Sequence, residues 1–274
     1  MGAARVCQSE AMISPGGVVF VHGLIGSFCE PAAIRSLADR RVSAPHLDGY
    51  GENLPATITL ERQVGALRRH IEANFSSPVH LVAHSIGAVY AFSLAALHPQ
   101  LVESVITAEG NFSLADAFWS SSIAALPAEE AEATLVVTLG DPERWLRDSS
   151  IESSPLMLER ARDALAYQPW ETVWGSARVV VETTGESAYQ RMVQRIFETI
   201  PVHLLAGERS ASGWAVPDWA REAAASTHIL PGAGHLMMLE RPELVGETIV
   251  AILDSREKSD APSASRRLLS KGRP

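Results

Sequence analysis

Short apolar runs and longer stretches of helical period alternate along most of the chain, and this alternation restricts the fold more than any other feature of the sequence. The runs are VVFV (18–21), VSAPHL (42–47), VHLVA (79–83), LVESVIT (101–107), PVHLLA (201–206) and THIL (227–230). Runs rich in Val, Ile and Leu, separated by helical segments, are the pattern of a parallel sheet covered by helices on both faces. Covering helices are expected over 31–40, 60–74, 86–97, 217–225 and about 242–253, each bounded by Gly, Pro or a polar cluster. The fold class is therefore α/β, with a mainly parallel sheet of about six to eight strands.

One interval breaks the rhythm. From Asn111 to Thr199 no clear strand occurs, and four of the six tryptophans (Trp119, Trp145, Trp170, Trp174) fall there. A structureless loop of that length is uncommon inside a compact domain, so a mostly helical insertion is expected. The chain divides into a core of residues 1–110 and 200–254, an insertion of 111–199 and a tail of 255–274. The tail holds six basic and two acidic residues, a charge of +4 that leaves about −13 for the body of a chain whose net charge is −9. Its Ser, Ala and Pro content and its scarcity of large apolar residues predict disorder. A body so acidic argues against nucleic acid as the main partner. The two cysteines, Cys7 and Cys29, make neither a disulfide framework nor a zinc site at their spacing. No basic stretch followed by an apolar core opens the sequence, and no apolar run reaches the roughly 18 residues of a membrane span. A soluble, cytoplasmic protein without a membrane partner is expected.

Three segments carry chemistry. In Leu81-Val82-Ala83-His84-Ser85-Ile86-Gly87-Ala88 an apolar strand runs into a serine flanked at −2 and +2 by small residues, and an apolar helix follows. A serine on so tight a strand-to-helix turn has a strained backbone, and its hydroxyl stands exposed at a helix N-terminus, where N–H groups stabilise developing negative charge. In Val18-Val19-Phe20-Val21-His22-Gly23-Leu24-Ile25-Gly26-Ser27 a buried strand leads to a loop able to bring a free N–H beside that serine. The N–H groups of Leu24 and Ile86 are the expected oxyanion donors. In Pro231-Gly232-Ala233-Gly234-His235-Leu236 a histidine follows a late strand on a Gly-bounded loop, where it reaches the carboxyl ends of the strands. His22 and His84, inside the other motifs, are expected to shape their loops.

These motifs, in this order and with Asp48-Gly49-Tyr50-Gly51-Glu52 between them, resemble the α/β-hydrolase superfamily in its serine-hydrolase branch. The resemblance covers residues 18 to about 253. It implies a cap inserted after the family's sixth strand, where the Trp-rich interval falls, and a triad in the chain order Ser, acid, His. The −2 residue is Ala83 rather than the commoner glycine. The residues before Gly17 do not alternate, so the antiparallel pair that normally opens the fold is expected to be short or missing. Many relatives place an aspartate three residues after the glycine ending the family's seventh strand, and that position here is Ser210. Others take the acid from the end of the sixth strand, about two dozen residues past the nucleophile. Glu109, at 109 − 85 = 24, meets that description, with Glu208 as the competitor.

The expected activity is hydrolysis of a carboxylic ester, lactone or similar acyl bond of a small, largely apolar substrate. Ser85 is the nucleophile, His235 the base, Glu109 the acid with Glu208 as the alternative, and Trp119 part of a substrate pocket formed by the insertion. No metal or organic cofactor is implied, and the only partner expected is the small-molecule substrate. A serine rather than a carboxylate at position 85 argues against a haloalkane dehalogenase. The alternatives are cofactor-free cleavage of a carbon–carbon bond or a cyanohydrin on the same scaffold, and a non-catalytic receptor that uses the cap cavity for ligand binding.

Overall fold

Each of the six apolar runs forms a strand in a computed structural model of the protein, which describes residues 16–27, 30–53 and 57–260. The strands β1 (Gly17–Val21), β2 (Val42–Ser43), β3 (Val79–His84), β4 (Val102–Ala108), β5 (Val202–Gly207) and β6 (Ser226–Leu230) make one sheet. Their order is β2-β1-β3-β4-β5-β6, parallel throughout. The crossovers hold α1 (Pro31–Ser36), α2 (Leu60–Asn74) and α3 (Gly87–Leu97). Between β4 and β5 lie α4 (Phe118–Ala124), α5 (Ala128–Leu139), α6 (Pro142–Asp148), α7 (Pro155–Ala166), α8 (Trp170–Thr184) and α9 (Ser187–Thr199). Then come α10 (Asp218–Ala223), α11 (Met237–Glu240) and α12 (Pro242–Asp260).

The runs of β1, β3, β4 and β5 bury both strand faces, and successive residues part to opposite sides as the pleat requires. Val19, Val21, Leu81, Ala83, Val105 and Leu204 pack with Val64, Leu67 and Ile71 of α2, with α3 and with Val193 and Ile196 of α9. Val18, Phe20, Val82, Ile106 and Leu205 pack on the other face with Val245, Ile249 and Ile252 of α12. Burying one such side chain contributes about 1.5–3 kcal/mol, so the two interleaved sets bind both helical layers to one sheet.

Two helices of the insertion start on capping signals readable in the sequence. Asp141 before Pro142 and Ser154 before Pro155 cap α6 and α7: Asp141 Oδ1 accepts the N–H of Arg144 at 3.0 Å and Ser154 Oγ that of Met157 at 3.2 Å. Among the described residues no strand interrupts 109–201. Three boundaries differ from expectation by more than two residues. The run 42–47 pairs only through Val42 and Ser43, because Pro45 has no N–H to continue the ladder. The first helix ends at Ser36 rather than at residue 40. The last continues to Asp260, into the stretch that composition assigns to a tail. The rest of that tail, the segment before Gly16 where the opening antiparallel pair would lie, and both cysteines fall outside the described residues. Among the described residues no helix is long and apolar enough to cross a membrane.

Candidate active site

The chain passes from β3, ending at His84, to α3, beginning at Gly87, in two residues. Ser85 makes the turn at φ +52°, in the left-handed region that costs a residue with a Cβ roughly 1–3 kcal/mol. The surrounding structure holds it there: its N–H donates to Ala108 O at 3.0 Å, extending the ladder to β4, and its carbonyl accepts from Ala88 N–H at 3.0 Å. A Cβ at Gly87 would lie 2.5 Å from the carbonyl oxygen of Val21 and 2.6 Å from that of His22. The +2 position is glycine because the loop after β1 passes directly over it.

Glu109 ends the neighbouring strand, and it too is left-handed, at φ +46°. Its carboxylate is almost fully buried and has three donors. Nδ1–H of His235 donates to Oε2 at 2.7 Å, while Oε1 accepts from the N–H of Gly207 at 2.8 Å and from the hydroxyl of Ser210 at 2.5 Å. Burial pushes the Glu109 pKa up; the hydrogen bond and charge of His235, with the Ser210 and Gly207 donors, outweigh it and hold the group below its ordinary value. A depressed folded pKa contributes stability that is present above the unfolded value, about 4.3, and is lost as pH falls through the folded one. The gap in unfolding midpoint between the wild type and Glu109→Gln should therefore narrow as pH drops below that value, and a gap constant from pH 7 to pH 3 would contradict it.

Glu208 is used elsewhere: its Oε2 accepts the N–H of Gly232 at 2.9 Å, bracing the loop that carries His235. Arg209 holds the same loop through Gly232 O and through Glu240 Oε2, both at 2.6 Å, and Glu240 Oε1 takes the N–H of Gly234 at 2.8 Å. From below, Nε2–H of His84 donates to the carbonyl of His235 at 3.0 Å. Burial, and then the nearby His235, push His84 well below the usual histidine pKa, so this donor is neutral. The histidine before the serine thus fastens the loop of the other histidine.

The loop after β1 is fixed one peptide at a time. Nδ1–H of His22 donates to the carbonyl of Gly23 at 2.9 Å. Carbonyl and amide of a trans peptide point in opposite directions, so holding Gly23 O also fixes the direction of the Leu24 N–H. A carbonyl only accepts, so Nδ1 carries the proton, and burial keeps the ring neutral by pushing its pKa down to about 4. The next plane is held by the Tyr50 hydroxyl on Leu24 O at 3.2 Å, and Gly26 N–H donates to Gln168 Oε1 at 2.8 Å. Among the described residues, neither the Leu24 nor the Ile86 N–H is taken by a protein acceptor.

A cavity of about 950 Å³ joins these elements, with Leu24, His84, Ser85, Glu109, Ser210 and His235 along its floor. Its roof comes from α4–α6 and includes Trp119, Ile123, Trp145 and Arg144. The sequence-predicted residues Ser85, Glu109, His235, Leu24 and Trp119 thus meet at one opening, and Ile86 turns its side chain into the core. Trp145 and Trp214 also line the cavity, whereas Trp170 and Trp174 pack on each other at 6.3 Å. The lining combines apolar and polar side chains, with apolar surface the larger share. Ser120, Ser122, Thr134, Thr138, Asp141 and Ser149 are part of it, because α4–α6 turn hydroxyl-bearing faces inward. Of the other residues missed, Ser210 alone left a signal, as the serine at a position where many relatives have their acid.

A parallel sheet between helical layers, with polar chemistry gathered at the carboxyl ends of its strands, defines an α/β protein with its site at the strand ends. The chain belongs to the alpha/beta hydrolase family, which it matches over residues 18–248. It is 27% identical over 252 residues, 86% of this chain, to the dihydrolipoyllysine-residue acetyltransferase component of the acetoin cleaving system of Pseudomonas putida. Over 96 residues, 32% of this chain, it is 33% identical to the probable lysophospholipase BODYGUARD 4 of Arabidopsis thaliana. The alignments span 63% and 23% of the lengths of those relatives. A carboxylesterase of the thaumarchaeon Nitrososphaera gargenis superposes with a TM-score of 0.69 at 16% identity, over 89% of this chain and 92% of its own. Haloalkane dehalogenase DbeA of Bradyrhizobium elkani gives 0.69 at 20% identity, over 90% and 93%. At these identities the likeness is one of fold.

Proposed function

We propose that the protein is a serine hydrolase that cleaves a carboxylic ester, lactone or similar acyl bond. The observation that carries the reading is the convergence of a strained Ser85 and a carboxylate-bound His235 on one cavity. Ser85 Oγ attacks the carbonyl carbon as His235 Nε2 takes its proton, and the oxyanion is held by the N–H groups of Leu24 and Ile86. The bond to the leaving group then breaks and His235 returns the proton to it. Water, activated by the same imidazole, adds to the acyl-enzyme and releases the acid and free Ser85. Glu109 fixes the imidazole with its proton on Nδ1 and stabilises the imidazolium; the 2.7 Å contact and the use of Glu208 at Gly232 favour it over Glu208.

The helices of 111–199 act as a cap, and their mixed lining suits a substrate with apolar and hydrogen-bonding parts. A panel of p-nitrophenyl esters of graded length, lactones, thioesters and a 1,5-diketone tests the reading. Turnover of esters or lactones supports it; turnover of the diketone alone would mean carbon–carbon cleavage, and turnover of none would leave a receptor. Trp119→Ala should change the ratio of kcat/KM for long against short acyl chains by about tenfold, within the 1–3 kcal/mol of a pocket contact. Its unfolding midpoint should stay within a few degrees of wild type, because Trp119 is only partly buried. An unchanged ratio would remove it from the pocket.

A further inference from the structure

We propose that Ser210 is a positioning residue for the triad acid: its hydroxyl anchors one oxygen of the Glu109 carboxylate and so aims the other at the imidazole of His235. This rests on the reading of Glu109 as the acid. The terminal torsion of a glutamate side chain is broad, so a carboxylate held only by His235 is free to turn. Here its oxygens have separate partners, Ser210 and Gly207 on Oε1 and His235 on Oε2. The Ser210 contact, at 2.5 Å, is the shortest of the three and falls in the range of an O–H donor on a charged acceptor. The hydroxyl has one hydrogen and two acceptors within reach, Glu109 Oε1 and, at 3.3 Å, Gly207 O. Distance and charge assign the hydrogen to the carboxylate.

Ser210 stands three residues past the end of β5, in a turn closed by its own N–H on Gly207 O at 3.2 Å. The N–H of Gly207 and the hydroxyl of Ser210 thus arrive at Glu109 as one unit from the neighbouring strand. When His235 takes the proton of Ser85, the carboxylate must stay ionised with Oε2 aimed at Nδ1, and two donors on Oε1 keep it from being protonated or rotating away.

The test is a double-mutant cycle on the full-length protein, read with the best p-nitrophenyl ester of the panel. Ser210→Ala should lower kcat about tenfold, the effect of losing one hydrogen bond to a charged group, with KM within twofold. Ser210→Thr should recover most of the loss. In the Glu109→Gln background, Ser210→Ala should cost less than twofold, since a residue acting through the carboxylate has nothing left to act on. Full activity of Ser210→Ala, an equal loss in both backgrounds, or a loss confined to KM would overturn the assignment. If Ser210→Ala lowers the unfolding midpoint, Ser210→Cys, whose thiol is a weaker donor, carries the same expectation. A second readout needs no turnover and separates this inference from the hydrolase reading. The carboxyl carbon of Glu109, followed by NMR, should titrate at higher pH in Ser210→Ala than in the wild type, and an unchanged titration would overturn it even for an inactive protein.

Discussion

Ser85→Ala should reduce kcat by a factor on the order of 10⁶, leaving an unfolding midpoint equal to or above that of the wild type. The two halves of this expectation come from different properties of one residue. In the proposed mechanism the hydroxyl forms the acyl-enzyme, and without it the imidazole has no nucleophile to activate. The backbone at φ +52° is strained with serine and stays strained with alanine, so the fold gains and loses little. His235→Ala should be as severe, and Ser85→Ala/His235→Ala should be scarcely worse than either change alone, because the residues work as one unit. Residual activity within tenfold of wild type in Ser85→Ala would mean that the chemistry lies elsewhere in the cavity.

Glu109→Gln should lower kcat by about 10⁴, by analogy with the amide replacement of a triad carboxylate. The amide keeps the shape of the side chain but has only one acceptor oxygen and no charge. Gly207 N–H and Ser210 Oγ–H compete with His235 for that oxygen, and an amide nitrogen facing Nδ1 forces the proton onto the wrong side of the ring. Glu208→Gln should lose less than tenfold, since Glu208 reaches Gly232 N–H, a contact that the amide oxygen can still accept. If Glu208→Gln were the crippled variant, the acid would be misassigned and the Ser210 inference would fall with it.

The fold was legible because it follows from local rules. Runs apolar on both faces, such as 18–21 and 79–83, have no stable place except inside a covered parallel sheet. Where a local rule was overlooked the reading failed locally, as at Pro45, which ends β2 after Ser43. The spacing to Ser85 favoured Glu109 over Glu208 as the proposed acid, although both stand at strand ends. The path of the loop after β6, which brings Gly232 to Glu208 and His235 to Glu109, supports that choice. The hydroxyl groups within the cavity lining were the least legible feature. Which faces of α4–α6 turn towards Ser85 depends on their packing against α7 and α8, and composition reported the tryptophans of the insertion without showing that Trp119 and Trp145 face the cavity while Trp170 and Trp174 face each other.

The central claim is that Ser85 is an activated nucleophile, and covalent trapping tests it most directly. The full-length protein, treated with a fluorophosphonate at neutral pH, should gain the mass of one phosphonyl group. Proteolysis should place that group on the peptide carrying Leu81-Val82-Ala83-His84-Ser85, and His235→Ala should slow labelling by orders of magnitude. A folded wild-type protein that takes up no label, or takes it up at a residue other than Ser85, would contradict the account.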